Sequence, residues 1–474
     1  MMSMVAPNAP EAHRMHRVRR IHFVGIGGAG MSGIAEVLVE LGYQVSGSDL
    51  RASGSLERLR RLGAQVFEGH APERVSGADV VVVSSAVPAD NPEVQAARQA
   101  RIPVVRRAEM LAELMRFRAG IAVAGTHGKT TTTSLIASLL ATAGLDPTFV
   151  VGGLVNAFGS NARLGRGPYL VAEADESDAS FLLLQPVISL VTNIDRDHME
   201  AYGGSFDRLQ AAYLEFLHHL PFFGVAVLCT DDPHVAELVP EVGRPVIRYG
   251  FGADTDVRAE HIEQRGREMH FDLWLPGRTQ ALRARLSMPG RHNVQNALGA
   301  AAVASELGLA DEQIVDGLAR FAGIGRRFGE LGRLHFTHGV VDAYEDYGHH
   351  PTEIDAVLQA ARGGWPDRRI VLLFQPHRYS RTRDQFDAFA RVLADPDLLF
   401  LADVYPAGEA PIPGIDAASL ARAVADRGGA VHRVGDFGQA LEMLDQELRD
   451  GDLLLVMGAG DIGQWAQRLK ELKR

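Results

Sequence analysis

A single cysteine among 474 residues, Cys229, rules out an intrachain disulfide or a CxxC metal site, and the natural compartment for such a chain is a reducing cytoplasm. No apolar run approaches the roughly 18 residues that a membrane span requires, so no membrane partner is expected. Basic residues are outnumbered 48 to 59, a net charge of -11, which argues against broad adhesion to nucleic acid or anionic lipid. It leaves a small anionic substrate open. The first 20 residues carry Arg14, Arg17, Arg19 and Arg20 with no apolar stretch behind them, and read as a solvated tail, not a signal peptide. Short-period repeats and low-complexity segments are absent.

With 46% hydrophobic and 23% charged residues the composition is that of an ordinary globular chain, and the length suits two or three domains. The one skewed count is 50 glycines. Short β-branched runs alternate with helical patterns nearly throughout, which predicts an α/β fold built from parallel βαβ units. The first block has predicted strands at 21–24, 44–46 and 80–83 and a helix over about 31–41. The second has strands at 121–124, 148–151, 169–172, 187–192 and 225–229, with helices at 129–143, 294–307 and 312–321. Glycines punctuate 321–325, and the third block has strands at 370–374, 398–401 and 453–456. Three nucleotide-fold-like domains follow, over 1–118, 119–323 and 324–474.

The first strand runs into Gly25-Ile26-Gly27-Gly28-Ala29-Gly30. This spacing lets backbone N–H groups and a helix N-terminus approach a diphosphate, and Asp49, about 20 residues on, is placed to hold a ribose hydroxyl. The motif reports a diphosphate plus ribose and does not separate NAD from a UDP-sugar. Ser84 and Ser85 at another strand end, and His70, are candidates to face the same ligand.

Gly125-Thr126-His127-Gly128-Lys129-Thr130-Thr131 follows a strand and opens a helix. Its G-K-T ending is that of a phosphate loop, in which amides cradle phosphates, the lysine neutralises the β/γ charge and the threonine hydroxyl meets Mg²⁺. Val123 stands where the strict pattern has its first glycine, so the loop is a shorter variant for ATP. Metal ligands of an open α/β sheet gather at the carboxyl edge. Two runs qualify there: Glu173-Ala174-Asp175-Glu176-Ser177-Asp178 and Asn193-Ile194-Asp195-Arg196-Asp197-His198. Glu173 and His198 are the preferred Mg²⁺ ligands, with Asp175 and Asp178 behind them.

These motifs, together with Gly290-Arg291-His292-Asn293-Val294-Gln295-Asn296, Gly325-Arg326-Arg327-Phe328 and Asp346-Tyr347-Gly348-His349-His350-Pro351, resemble the Mur ligases over residues 21 to about 465. Those enzymes form amides with ATP in peptidoglycan precursor synthesis. The opening glycine run and Gln375-Pro376-His377-Arg378-Tyr379-Ser380-Arg381 are similar to the branch that joins L-alanine to UDP-N-acetylmuramate. The resemblance implies a UDP-sugar, not NAD, on the first domain, ATP on the second and the amino acid on the third. It implies an acyl-phosphate intermediate and small-molecule substrates; a monomer or weak homodimer is expected, though the sequence carries no signal for the oligomeric state. On this reading Lys129 and Thr130 serve the ATP phosphates and Mg²⁺, Glu173 and His198 hold metal, and His292, Asn293 and Asn296 take the adenine side. Arg327 and Asp346 reach the nucleotide, and His349 the transferred phosphate. Tyr347, Arg378 and Arg381 form the alanine site; without the resemblance the two arginines read as a surface pair. The carbamylated lysine of several family members has no candidate, since no lysine lies between Lys129 and Lys470, a lack shared by the alanine-adding branch. A second glycine turn, Gly458 to Gly463, reads as structural. Glycines 323 and 325 mark a hinge that would let the third domain close. A nicotinamide oxidoreductase or a nucleotide-sensing module leaves Glu173, His198 and the third-domain arginines unexplained, and the peptide-joining recycling ligase differs in its glycine turn. Selectivity among L-alanine, serine and glycine depends on pocket volume.

Overall fold

The computed structural model describes residues 15–84 and 86–471; Ser85 and residues 1–14 of the arginine-bearing tail lie outside them. The chain divides into two compact units. The first comprises residues 1–154, 158–249 and 302–308, and the second 155–157, 250–301 and 309–474.

The first unit contains two α/β sheets. Its five-stranded sheet is parallel, in the order Gln65–Glu68, Gln44–Asp49, Arg20–Val24, Val80–Val83, Val104–Arg106. Chain order reverses on either side of the central strand Arg20–Val24, so its carboxyl end, where the glycine run begins, is a topological switch point. Ile21, Phe23 and Val24 are fully buried, as expected of a strand covered on both faces. The strand begins at Arg20, one residue before the predicted start, where Arg20 pairs with Gln44, and Asp79 accepts the amides of Arg19 and Arg20 at 2.7 and 2.8 Å. The helix Ala29–Glu40 then packs Gly33 against Ala162 of the strand Ser160–Arg163, and Asn161 Nδ2 donates to Ala29 O at 2.7 Å.

The seven strands that follow run in the order Val246–Gly250, Val225–Cys229, Ile188–Val191, Ala119–Ala124, Tyr169–Glu173, Thr148–Val155, Ser160–Arg163. Ala119–Ala124 is central, with Val123 opposite Glu173 on one side and Ala124 opposite Val191 on the other. Both acidic runs therefore leave the sheet beside the phosphate loop. One apolar cluster, from Ile21 and Met31 through Leu170 to Phe216, serves both sheets.

The second unit opens with antiparallel strands Val257–Arg265, Glu268–Trp274 and Leu282–Leu286, which the sequence reading did not anticipate. Their alternating buried and exposed residues are rich in Arg, Glu and His, so the half-buried period-2 pattern carries little apolar signal. A six-stranded sheet follows in the order Gly329–Phe336, Gly339–Asp346, Leu453–Met457, Ile370–Phe374, Leu398–Ala402, Val431–Val434. Its first pair is antiparallel and the rest parallel. The three central strands are wholly buried, which is why their apolar runs were legible. No helix among the described residues is long and apolar enough to cross a membrane.

Candidate active site

The first site lies at the switch point of the five-stranded sheet. Asp49 Oδ2 accepts the Gly27 amide at 2.8 Å, so one oxygen of the expected ribose ligand braces the glycine turn itself. Ser84 follows the neighbouring strand, and its Cβ would lie 3.4 Å from a Cβ on Gly25. His70 Nδ1 is 2.9 Å from Ser48 Oγ and 3.4 Å from Glu93 Oε2. Glu93 is fully buried and also takes the Ala71 amide at 3.1 Å and faces His22 Nε2 at 3.4 Å. Nothing in the sequence marks this buried carboxylate, which meets the edge of the His70 ring at Nδ1, because it sits in an ordinary helical stretch.

The phosphate loop is the second site. Gly128 caps the helix Lys129–Thr142 with φ 81°, and Gly125 has φ 132° where a side chain would run into Thr192. Both positions call for glycine. The loop is stitched to the end of the neighbouring strand: Asn193 Oδ1 accepts the His127 amide at 2.8 Å, Thr192 Oγ1 donates to His127 O at 2.6 Å, and Asp195 N donates to Thr126 Oγ1 at 2.9 Å. His127 Nε2 is 3.0 Å from Asp195 Oδ2. Thr131 is buried in the first turn of the helix.

Lys129 Nζ donates to Thr126 O at 3.0 Å and to Glu176 at 2.9 Å. Glu173, at the end of its strand, takes the Gly152 amide at 2.7 Å and a hydrogen bond from Thr130. Burial raises the Glu173 pKa, and these bonds together with Lys129 oppose the shift. Arg107 Nη2 pairs with Asp175 at 2.8 Å, and its guanidinium also lies against Gly30 of the first glycine turn. Asp175 thus has a cationic partner of its own, and its pKa is lowered although burial opposes this. Asp178 caps the next turn through the Ser180 amide at 3.0 Å. His198 has a left-handed backbone (φ 52°), with Nε2 3.5 Å from Asp197 Oδ2. Arg107 and the pairing role of Glu176 were not read from the sequence, the first because no motif surrounds it.

The remaining predicted residues belong to the second unit. Asn293 Nδ2 donates to Pro289 O at 2.7 Å and Asn296 Nδ2 to Asn293 Oδ1 at 3.4 Å, so the pair is tied at the start of the helix Arg291–Glu306. His292 has its pKa pushed down to about 4 by burial and by Arg327. A cavity of about 270 Å³ opens beside Arg327, with Asn156, Arg267, Met288, Gly323 and Glu330 in its wall. Asp346 ends its strand buried, its two oxygens taking the Phe328 and Gly348 amides at 2.7 Å each. That shapes the loop carrying Tyr347 and His349. His349 Nδ1 is 3.1 Å from Tyr347 O and 3.4 Å from Glu353 Oε2.

Arg381 is only 7% exposed, which corrects the surface-pair reading. Its Nη1 is 3.4 Å from His377 Nδ1. His377 stacks on Tyr405 at 5.5 Å between centroids and lies 5.7 Å from His349. Arg378 adopts φ 71° and donates its amide to Tyr405 O at 2.8 Å. The helix Tyr379–Asp384 thereby turns Arg381 inward beside an aromatic wall. His377 and Tyr405 had no assigned role in the sequence reading; only the fold joins Tyr405 to the Gln375–Arg381 run.

Three family profiles match in chain order: Mur ligase family, catalytic domain, over 20–119; Mur ligase middle domain over 123–304; and Mur ligase, glutamate ligase domain, over 332–460. UDP-N-acetylmuramate--L-alanine ligases of Xanthomonas euvesicatoria pv. vesicatoria and Xanthomonas campestris pv. campestris are 59% identical over 438 residues, 92% of this chain and of theirs. The crystal structure of UDP-N-acetylmuramate-alanine ligase from Thermotoga maritima superposes with a TM-score of 0.80 at 29% identity, covering 95% of this chain and 98% of that one. A murein peptide ligase from Psychrobacter arcticus shares the fold, with a TM-score of 0.70 at 24% identity over 96% of this chain and 98% of that one.

Proposed function

The chain belongs to the Mur ligase family, and from that membership we infer that it joins the carboxylate of UDP-N-acetylmuramate to the amine of L-alanine, converting ATP to ADP and phosphate, in peptidoglycan precursor synthesis. The observation that carries this is the 59% identity, over 92% of both chains, to ligases named for that reaction.

The muramyl carboxylate attacks the γ-phosphate, ADP leaves, and the alanine amine then attacks the acyl phosphate, expelling phosphate and leaving the amide. The first step brings an anion to a polyanion, so its barrier is largely charge repulsion. Lys129 and the N-terminal amides of the helix Lys129–Thr142 offset that repulsion. Thr130 and Glu173 put two hard oxygen donors in contact with each other, a set that suits Mg²⁺, and His198 is the third ligand we assign. When bound there, the ion shields the phosphate oxygens. Of the neighbouring carboxylates, Glu176 is paired with the Lys129 cation and Asp175 with the Arg107 cation, whereas Glu173 is held by the neutral Gly152 amide and Thr130 hydroxyl, and we assign it to the metal.

We assign the glycines from Gly25 to Gly30, with Asp49, His70, Ser84 and Ser85, to the UDP-sugar. His292, Asn293, Asn296, Arg327 and Asp346 take the nucleotide, and His349 the transferred phosphate. Arg378 and Arg381 hold the alanine carboxylate against Tyr347; the buried setting of Arg381 supports this, since a guanidinium kept from water gains most from a carboxylate partner. A cytoplasmic location fits the lone, buried Cys229.

Phosphate release from ATP is the test. It is expected only when both UDP-N-acetylmuramate and L-alanine are present. Release that requires a peptide in place of the amino acid would assign the chain to the recycling reaction.

A further inference from the structure

The turn Gly458-Ala459-Gly460-Asp461-Ile462-Gly463 leaves the strand Leu453–Met457 and enters the helix Ile462–Glu471, the setting in which such a spacing cradles a diphosphate. Here its mouth is filled by protein. Gln375 Oε1 accepts the Ile462 amide at 3.1 Å while its Nε2 donates to Asp461 Oδ1 at 2.6 Å. Arg326 Nη2 donates to Gly458 O at 2.7 Å, and a Cβ on Gly463 would lie 2.7 Å from Arg326 Cζ. A side chain at residue 463 would push the guanidinium from its place against the turn.

The same guanidinium lies over the Tyr347 ring, 4.8 Å from its centroid, and Arg326 O accepts the Tyr347 amide at 2.8 Å. Arg326 itself has a left-handed backbone (φ 59°). Its Nε is buried without a hydrogen-bond partner among the described residues, so its plane is set by the turn and the ring and not by a carboxylate fork. The nearby acid Glu345 instead accepts from Gln467 at 3.2 Å. Arg327 approaches the same ring at 5.4 Å, with its Nη1 4.0 Å from Glu353.

We propose that Arg326 is a positioning residue for the amino-acid pocket: the turn 458–463 is its socket, and its guanidinium face fixes the Tyr347 ring against which L-alanine binds. This rests on the assignment of Tyr347 to the alanine pocket made above. A planar cation orients a ring face in a way that an ammonium does not, which accounts for arginine at this position.

Steady-state kinetics on the full chain test it. Arg326→Gln is expected to raise the KM for L-alanine about tenfold while the KM values for ATP and UDP-N-acetylmuramate stay within about twofold. Arg326→Lys recovers only part of the loss, and Gly463→Ala, which displaces the guanidinium without removing it, reproduces the same selective rise. On a Tyr347→Ala background, Arg326→Gln adds nothing further, as coupled residues do. An unchanged alanine KM in Arg326→Gln, where Tyr347→Ala raises it, overturns this inference alone. An unchanged alanine KM in Tyr347→Ala overturns the pocket assignment and the inference with it. Equal rises in all three KM values with a lower melting temperature in both Arg326→Gln and Gly463→Ala would make Arg326 a purely structural residue.

Discussion

Lys129 and Glu176 face each other beside the phosphate loop, with Nζ 2.9 Å from Oε1 and 2.8 Å from Oε2 and the glutamate almost wholly buried. Burial opposes the charge on Lys129, yet Glu176, Asp175 and Glu173 outweigh it and hold its pKa above the usual lysine value. Burial pushes the Glu176 carboxyl up to about 7, with Lys129 opposing. The carboxylates around the loop thus favour the charged form of its lysine, while burial disfavours the charge on the glutamate that faces it.

Replacing this cation removes the main countercharge to the transferred phosphate. Lys129→Ala is expected to lower turnover by about 10²- to 10³-fold or more. Calorimetric binding of UDP-N-acetylmuramate, assigned to the five-stranded sheet, stays close to wild type. Near-normal turnover would remove the phosphate-loop assignment.

Glu173, held by neutral donors and not by a paired cation, is the carboxylate assigned to the metal. Chelation with EDTA is expected to abolish phosphate release, and Glu173→Gln to raise the free Mg²⁺ concentration that gives half-maximal turnover. A variant with the wild-type Mg²⁺ dependence would move the metal to another ligand set.

Arg381 is buried beside His377, which stacks on Tyr405, and is assigned to the alanine carboxylate. Arg381→Ala is expected to raise the KM for L-alanine by an amount equivalent to about 1.5–3 kcal/mol, the range of a hydrogen bond to a charged group. An unchanged alanine KM would place the carboxylate elsewhere.

Two histidines of the second unit resist protonation. His377 is pushed down to about 3 by burial and then by His349, Arg381 and Arg378, and His292 to about 4 by burial and Arg327. An unfolded chain takes these protons near 6.5. Below that pH the unfolded state binds more protons than the folded one, so stability present at neutral pH is lost as pH falls from 6.5 toward 3. The urea midpoint of wild type should therefore drop more between pH 7 and pH 5 than that of His377→Gln. Parallel curves would show that His377 titrates normally.

The buried parallel strands were legible because continuous apolar runs such as Ile370–Phe374 and Leu453–Met457 have few other uses in a chain with no membrane-length segment. The strands Val257–Arg265, Glu268–Trp274 and Leu282–Leu286 were not, since they bury one face and cover the other with charge. At the site, Lys129, Thr130 and Glu173 stood out because phosphate and metal chemistry ties residue type to a short spacing. Glu176, directly after Asp175 and three residues beyond Glu173, gave no sign that it would be the one to pair with the lysine.

Local chemistry, written in contiguous residues, determined the α/β class, the two phosphate-type turns and the acidic runs at strand ends. Partnerships between distant segments required the folded chain. Arg107 meets Asp175 across 68 residues, and Arg326 meets Gly458 across 132. The glycine turn at 458–463 has the spacing of a phosphate cradle, but in the fold Gln375 and Arg326 occupy its mouth. A spacing specifies the shape of a turn, whereas what fills it depends on which side chains the surrounding sheet brings within hydrogen-bonding reach.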